Sequence, residues 1–549
     1  MISRDPSVLL LTVCLFAGVL GRGDAAAQGA PPQSGGGAYG DLVTFYKDFR
    51  AFQKGKLVNG VPDYTPAAMA AQAKALEGYK QRLAAIDPSG WPIAQQVDYQ
   101  IVRAEVSSLD FDHRVMQPWA KNPGYYVTFF TEESDQPKRE GPFAEGAIEL
   151  WSYKQPLSAP DTAAVEAGLK AIPGLLAQAK GNLTGNGRDL WVWGTKSLKT
   201  QSTELGDFAK TAPANLKASV EAAVRATNEL VAWLDTQAPS KTGPSGIGIE
   251  NYNWYLKNVQ LVPLDWEQEY ALHVNELGRA RALLAMEEIR NAKLPIEEPI
   301  ANAEEYDQRH AAALTEYMAF LKDNQILTVK AYMEPALRAR LGKFSPGPRH
   351  FFAQVDSRDP EIMRTHDYHW FDKAWMVQEP PASPIRRDVR LHNIDNTRTE
   401  GLATGWEELM MQAGMLDARP RSRELVYMLV AQRAARALGE LFMVANLMDI
   451  EQAAAFASAN VPRGWFDLQT GLIRGEQYLY LGQPGYGTSY LTGKWIIDAL
   501  IAEKMQELGD KFRMQAFMDE FNAKGLIPAS LIRWEMTGKK TPELEKMLK

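Results

Sequence analysis

The chain has 549 residues, of which 45% are hydrophobic and 23% charged, with 60 Lys and Arg against 67 Asp and Glu and a formal net charge of −7. That composition excludes collagen-like, disulfide-scaffold and wholly disordered chains. The acidic balance speaks against a general nucleic-acid binder, which needs clustered Lys and Arg to neutralise phosphates.

The only long apolar run, Val8 to Leu20, holds the single cysteine, Cys14. It is too short for a free-standing membrane span, which takes roughly 20 residues. Arg4 precedes it and Ala25-Ala26-Ala27 follows, the pattern of a secretory signal peptide over residues 1–27. Cleavage there leaves a mature chain with no cysteine, so disulfides, thiolate nucleophiles and Cys-ligated metals are excluded. The expected location is periplasmic or secreted, with no membrane span in the mature chain. Residues 28–38, rich in Gly, Pro and Ser, are expected to be a disordered leader.

Beyond the leader the pattern is helix upon helix. Val165, Leu169, Ile172, Leu175, Leu176 and Leu183 form a helical stripe, and Leu216, Val220, Ala223 and Val224 repeat it. Residues 265–292, 303–322, 405–418, 422–447 and 494–508 read the same way. Strand signals are few: Tyr125 to Phe130, and more weakly Tyr478 to Leu481. The Pro- and Gly-bearing stretch Pro239–Gly248 allows two halves, 39–240 and 246–549, but no composition shift separates them. The expected fold is mainly α: one large helical globule over 39–549 with a deep central cleft and few short strands.

Motifs for a serine-nucleophile elbow, a P-loop, a dinucleotide fold and an HExxH zinc site are absent. Of seven His, three fall close together: His366, His369 and His392. On a helix His366 and His369 share a face, where neutral imidazoles can grip one divalent metal with a carboxylate from a second helix. Asp367 between them is a candidate general base on a metal-bound water. Beside Tyr368, Trp370 and Phe371, the two His are also readable as interfacial residues with satisfied ring nitrogens. Glu400 and Glu407, two helical turns apart, share a face, either as a carboxylate ladder inside a bundle or as a solvated acidic face. Glu476 to Tyr480 and Pro484 to Tyr490 read as a turn presenting phenols before a helix near Leu491. Such hydroxyls serve an oxyanion or simply pack with one wet end.

These segments resemble a bacterial family of unknown function, DUF885. Glu400-Gly401-Leu402-Ala403 through Glu407 stands where the family has E-G-W-A-x-Y-A-E. Glu476 through Tyr480, with Pro484-Gly485 and Ser489-Tyr490, stands for E-V-x-R-Y and P-G-Q-A-L-S-Y. Gly509 to Phe512, Phe517 to Asp519 and Gly525 to Pro528 stand for G-x-K-F, F-H-D and G-x-L-P. The family's central H-E-x-x-P-G-H-H resembles the zinc motif of helical metallopeptidases, and spacing from Glu400 places His366 on its first His and Asp367 on its Glu. The departures fall on the chemistry: Trp370 to Lys373 replaces P-G-H-H, Leu479 replaces an Arg, and Met518 replaces a His.

The resemblance implies an exported metal-dependent hydrolase, peptidase-like, acting on short peptides or related amides. His366, His369 and Glu400 would hold zinc, with His392 as the alternative to His369. Asp367 would activate water, Tyr490 with Tyr486 would steady an oxyanion, and Glu476 would complete the site. The departures imply an alternative: a catalytically degenerate member that binds a peptide or other periplasmic ligand without turnover. The expected partner is a small-molecule or short-peptide substrate, not nucleic acid.

Overall fold

The computed structural model describes residues 38–389 and 392–548. The predicted signal peptide at 1–27, and all of the predicted leader except Ala38, lie outside them. The described residues fall in one compact unit. Among them are 23 α-helices and only two small sheets, Leu57–Val58 antiparallel with Val61–Pro62 and Phe129–Phe130 parallel with Ile148–Glu149. No described helix is long and apolar enough to cross a membrane.

Three long helices, Ala159–Asn182, Arg188–Thr211 and Lys217–Gln237, share a core of their own. The sequence stripe from Val165 to Leu176 is the buried face of the first, and Val220, Ala223, Leu230 and Leu234 are that of the third. Trp191 fills the space between them, and its indole N–H donates to the Leu234 carbonyl at 3.0 Å.

The rest of the chain wraps one central helix, Ser422–Val444, which is buried almost all round. A helix apolar over most of its surface belongs in the interior, and this one, with Arg433, Arg436 and Glu440 as buried exceptions, packs on helices Trp266–Arg290, Ile450–Asn460, Leu472–Gly482 and Tyr486–Leu508. Helix Trp266–Arg290 starts where the sequence supplies a capping box: Asp265 accepts from the Gln268 N–H at 2.9 Å, and Gln268 accepts from the Asp265 N–H at 3.0 Å.

Two strand expectations are overturned. Pro123–Tyr126 is a 3-10 turn, closed by Asn122 accepting from the Gly124 N–H, and only Phe129–Phe130 pairs as strand. The aromatic run reflects burial against helices, the environment in which β-propensity is ambiguous. Tyr478–Leu481 lies inside helix Leu472–Gly482, whose buried residues Ile473, Gln477, Tyr480 and Leu481 follow helical spacing. A four-residue apolar run does not by itself separate the two states.

The last long helix begins at Tyr486, not near Leu491. Gly485, at φ +82°, is its N-cap, while Gly487 and Gly493 lie within it as packing positions. A Cβ on Gly493 would stand 2.1 Å from the Thr397 carbonyl oxygen, and one on Gly401 would stand 2.5 Å from the Gly493 Cα. Helices Asn396–Gln412 and Tyr486–Leu508 therefore touch backbone to backbone. That contact brings Glu400 and Tyr486 within bonding reach.

A buried polar network ties this pair to helix Trp266–Arg290. Tyr252 donates to Glu269 at 2.7 Å and Thr492 donates at 3.1 Å, and burial lifts the Glu269 carboxyl to about 7. Its proton is held in the folded chain over a range where the unfolded chain has lost it. The resulting stabilisation is complete below the ordinary value of 4.5 and disappears as pH rises through about 7. Glu269→Gln should accordingly flatten the fall in melting temperature between about pH 5 and about pH 8. An unchanged slope in a thermal melt series would assign that fall to other groups.

Candidate metal centre

His366 is the last residue of helix Pro360–His366, and His369 lies in the first turn of helix Tyr368–Gln378. The one continuous helix implied by their spacing is broken at Asp367. Asp367 leaves helical geometry in ψ alone, at φ −64° and ψ 12°, and the two imidazoles still face each other edge to face, 5.2 Å apart. Glu400, in the second turn of helix Asn396–Gln412, completes the group. One ligand atom from each of His366, His369 and Glu400 lies within 4.8 Å of the others.

The donor set fits a metal. His369 Nε2 and Glu400 Oε2 are buried, have no hydrogen-bond partner, and face each other at 3.4 Å. Ligands on a tetrahedral ion at about 2.1 Å are roughly 3.4 Å apart. His366 Nδ1 is 3.1 Å from Glu407 Oε1 and equally far from an Arg433 guanidinium nitrogen; in the tautomer whose Nδ1–H donates to Glu407, Nε2 is the nitrogen free for a metal. A carboxylate on the far side of a ligating imidazole is the arrangement that fixes ring orientation in metal sites.

The charges follow from burial and near neighbours. Burial, reinforced by Arg433, holds His366 well below its ordinary value, so its ring is neutral. Burial opposes a charge on His369 too, but Asp135 and Glu400 outweigh it and lift His369 to about 9. In return His369 overcomes the burial of Glu400 and holds that carboxyl at about 2. The metal-free pair is thus ionised, and His369 must release a proton before its Nε2 can coordinate.

Other predicted site residues are placed differently. Asp367 is committed to Arg364 at 3.0 Å, and no hydrogen bond joins it to the cluster. Tyr486 donates to Glu400 at 2.5 Å, so its hydroxyl orients a ligand and is not free for an oxyanion. The Tyr490 ring lies 5.9 Å from that of Tyr486 and under the Arg436 guanidinium at 4.2 Å. Glu476 pairs with Arg436. His392 pairs with Asp112 at 2.9 Å and is not a member of the cluster. Glu407, on the same face as Glu400, is not a solvated acid: it receives two bonds from Arg433, at 2.7 and 3.0 Å.

Two further components were not anticipated. The first is an irregular strap, residues 131–145, that closes over the cluster. Gln136, only 2% exposed, donates to Glu400 at 2.9 Å and lies 3.3 Å from His369 Nδ1. Lys373, on the His369 helix, holds the strap through Glu133 at 2.6 Å and the Ser134 carbonyl at 2.5 Å. Burial and Asp135 lift the strap's Glu140 to about 7, and Tyr486 reaches it at 3.5 Å. No periodicity marks this segment, and nothing in it points to partners more than 200 residues away. The second component is the arginine pair Arg433 and Arg436 on the central helix. It did leave a signal: two Arg three residues apart in an otherwise apolar helical run.

A family model for bacterial proteins of unknown function, DUF885, matches residues 50–388 and 369–536. The chain belongs to this family. Two solved structures share the DUF885 chain's fold. One is a presumptive lipoprotein of unknown function from Shewanella oneidensis, with a TM-score of 0.67 and 17% identity, covering 91% of this chain and 100% of that one. The other is a presumptive lipoprotein from Colwellia psychrerythraea, with a TM-score of 0.62 and 14% identity, covering 91% of this chain and 97% of that one. No curated protein matches the sequence.

Proposed function

We propose that this DUF885 protein is an exported metal-dependent hydrolase of peptidase type, acting on short peptides or related amides. The observation that carries the reading is the convergence of His366, His369 and Glu400, with His369 Nε2 and Glu400 Oε2 buried, without a hydrogen bond and paired only with each other as ions. Zinc held there would polarise a substrate carbonyl and lower the pKa of its bound water.

The chain's own groups divide the remaining work. Glu407 and Arg433 fix the His366 ring, while Tyr486 and Gln136 fix the Glu400 carboxylate. Asp367, tied to Arg364, is poorly placed to take a proton. Glu140 is the better candidate, since the Tyr486 hydroxyl that bonds Glu400 also reaches it at 3.5 Å, and burial and Asp135 lift it to about 7. Tyr490 is the phenol left to meet a developing oxyanion. Export is supported by the signal-peptide pattern at 1–27 and by the description of both structural neighbours as presumptive lipoproteins.

The deciding experiment is the metal content of the purified mature protein, measured by inductively coupled plasma mass spectrometry beside a His366→Ala control. Near-stoichiometric zinc in the wild type, lost in the control, is the expected result. No metal after incubation with zinc would overturn the reading in favour of a non-catalytic binding protein.

A further inference from the structure

The buried arginines around the cluster are satisfied unequally. Arg398 makes two bonds to Asp372, at 2.6 and 2.8 Å, and Arg433 makes two to Glu407, at 2.7 and 3.0 Å. Arg436 makes a single side-chain hydrogen bond, from one terminal nitrogen to one Glu476 oxygen. All three arginines leave Nε without a partner, but only beside Arg436 are a carboxylate oxygen, the second of Glu476, and a phenol, Tyr480, also buried and unpartnered. Buried polar groups are nearly always paired, so several open valences at one spot mark the place of a missing partner.

That spot lies on the approach to the cluster. Beside the cluster Asp367 is 20% exposed, His366 15% and Glu476 13%, against 2% for His369 and Glu400. His366 and Glu476 therefore belong to the partly open rim of the cluster. Arg436 stands at that rim, one helical turn from the Arg433 that touches His366. Tyr490 lies against it at 4.2 Å. A guanidinium with an open edge matches a carboxylate, whose two oxygens accept parallel N–H bonds. The unpartnered Glu476 oxygen and Tyr480 hydroxyl offer sites for a further proton-mediated contact.

We propose that the substrate presents a free carboxylate to Arg436, so that peptides are cut at their C-terminal end. This rests on the hydrolase reading above. In the reaction, water adds across the last amide: the acyl carbon gains hydroxyl, the C–N bond breaks, and the leaving nitrogen gains a proton. The products are a shortened peptide acid and a free amino acid whose carboxylate has been held by Arg436.

The test uses acetyl-Ala-Ala-Phe with a free C-terminus and the same peptide as its C-terminal amide. Binding of each to the EDTA-treated full chain is measured by calorimetry, where no metal-dependent turnover intervenes. The amide is expected to bind at least 10-fold more weakly. The double variant Arg436→Met with Glu476→Gln, which leaves no orphaned charge, is expected to bind acid and amide alike. Equal binding of acid and amide by the wild type, or binding of neither, overturns the proposal without recourse to a variant. Cleavage of the acid is then followed on zinc-loaded protein. Discrimination without cleavage would overturn the hydrolase reading and leave a carboxylate-binding site.

Discussion

Glu400→Ala is expected to abolish metal retention and, with it, any hydrolysis. Glu400 is the only carboxylate of the three-residue ligand group, and it is the acceptor for Tyr486 and Gln136 as well as the ionic partner of His369. Its removal takes away a ligand and also the charge that, with Asp135, keeps His369 protonated in the metal-free state. Two neutral imidazoles alone fall short of the three protein ligands that catalytic zinc sites use. Glu400→Gln keeps the shape and both hydrogen-bonding neighbours while removing the charge, so it separates loss of a ligand from collapse of the site. Wild-type zinc content in both variants, read by mass spectrometry, would remove Glu400 from the ligand set.

The second large effect concerns stability. Arg433→Met is expected to cost about 3–5 kcal/mol, the range found when one partner of a buried ion pair is removed. Arg433 and Glu407 both have fully buried side chains and are joined by two hydrogen bonds. Methionine leaves the Glu407 carboxyl in a low-dielectric interior with only the His366 ring at 3.1 Å and Arg436 as the remaining cation acting on it. Changing Glu407 to Leu in the same chain should recover most of the loss, because a matched apolar pair avoids the desolvation of both charges. Chemical denaturation of the two variants reads the difference. A single variant within 1 kcal/mol of wild type, on the order of a surface pair, would mean that water reaches the pair.

The helical architecture was legible because periodicity reports burial directly: the stripe from Val165 to Leu176 and the apolar run around Leu425 to Leu441 needed no partner to be read. The proximity of His366 and His369 was legible from their three-residue spacing even though the chain breaks the helix at Asp367, whereas Glu400 was placed beside them by the family resemblance. The start of the last helix was not legible. Gly485 and Gly487 read as part of a turn in one dimension, whereas Gly487 lies inside the helix, where it makes room for the Glu440 and Tyr480 side chains. The roles of Tyr486 and Asp367 were hidden for a related reason. Each is set by which neighbour it touches, Glu400 in one case and Arg364 in the other, and neither neighbour follows from local spacing. The strap was the least accessible, since its only distinguishing property is the place where it comes to rest.

That resting place bears on how the protein is made. Gln136 meets Glu400 across 264 residues of chain and His369 across 233, and Tyr486 must then arrive from a further 86 residues beyond Glu400. Contacts of such separation form late, because the intervening chain must be ordered first. A chain emerging N-terminus first would carry its cover long before it carried anything to cover. Ion uptake would then be a property of the finished molecule, following the slowest refolding phase when zinc is monitored with a chromophoric chelator in stopped flow. Uptake in the earliest phase would instead mean that the His pair captures the ion on its own, and that the ion guides the fold around it.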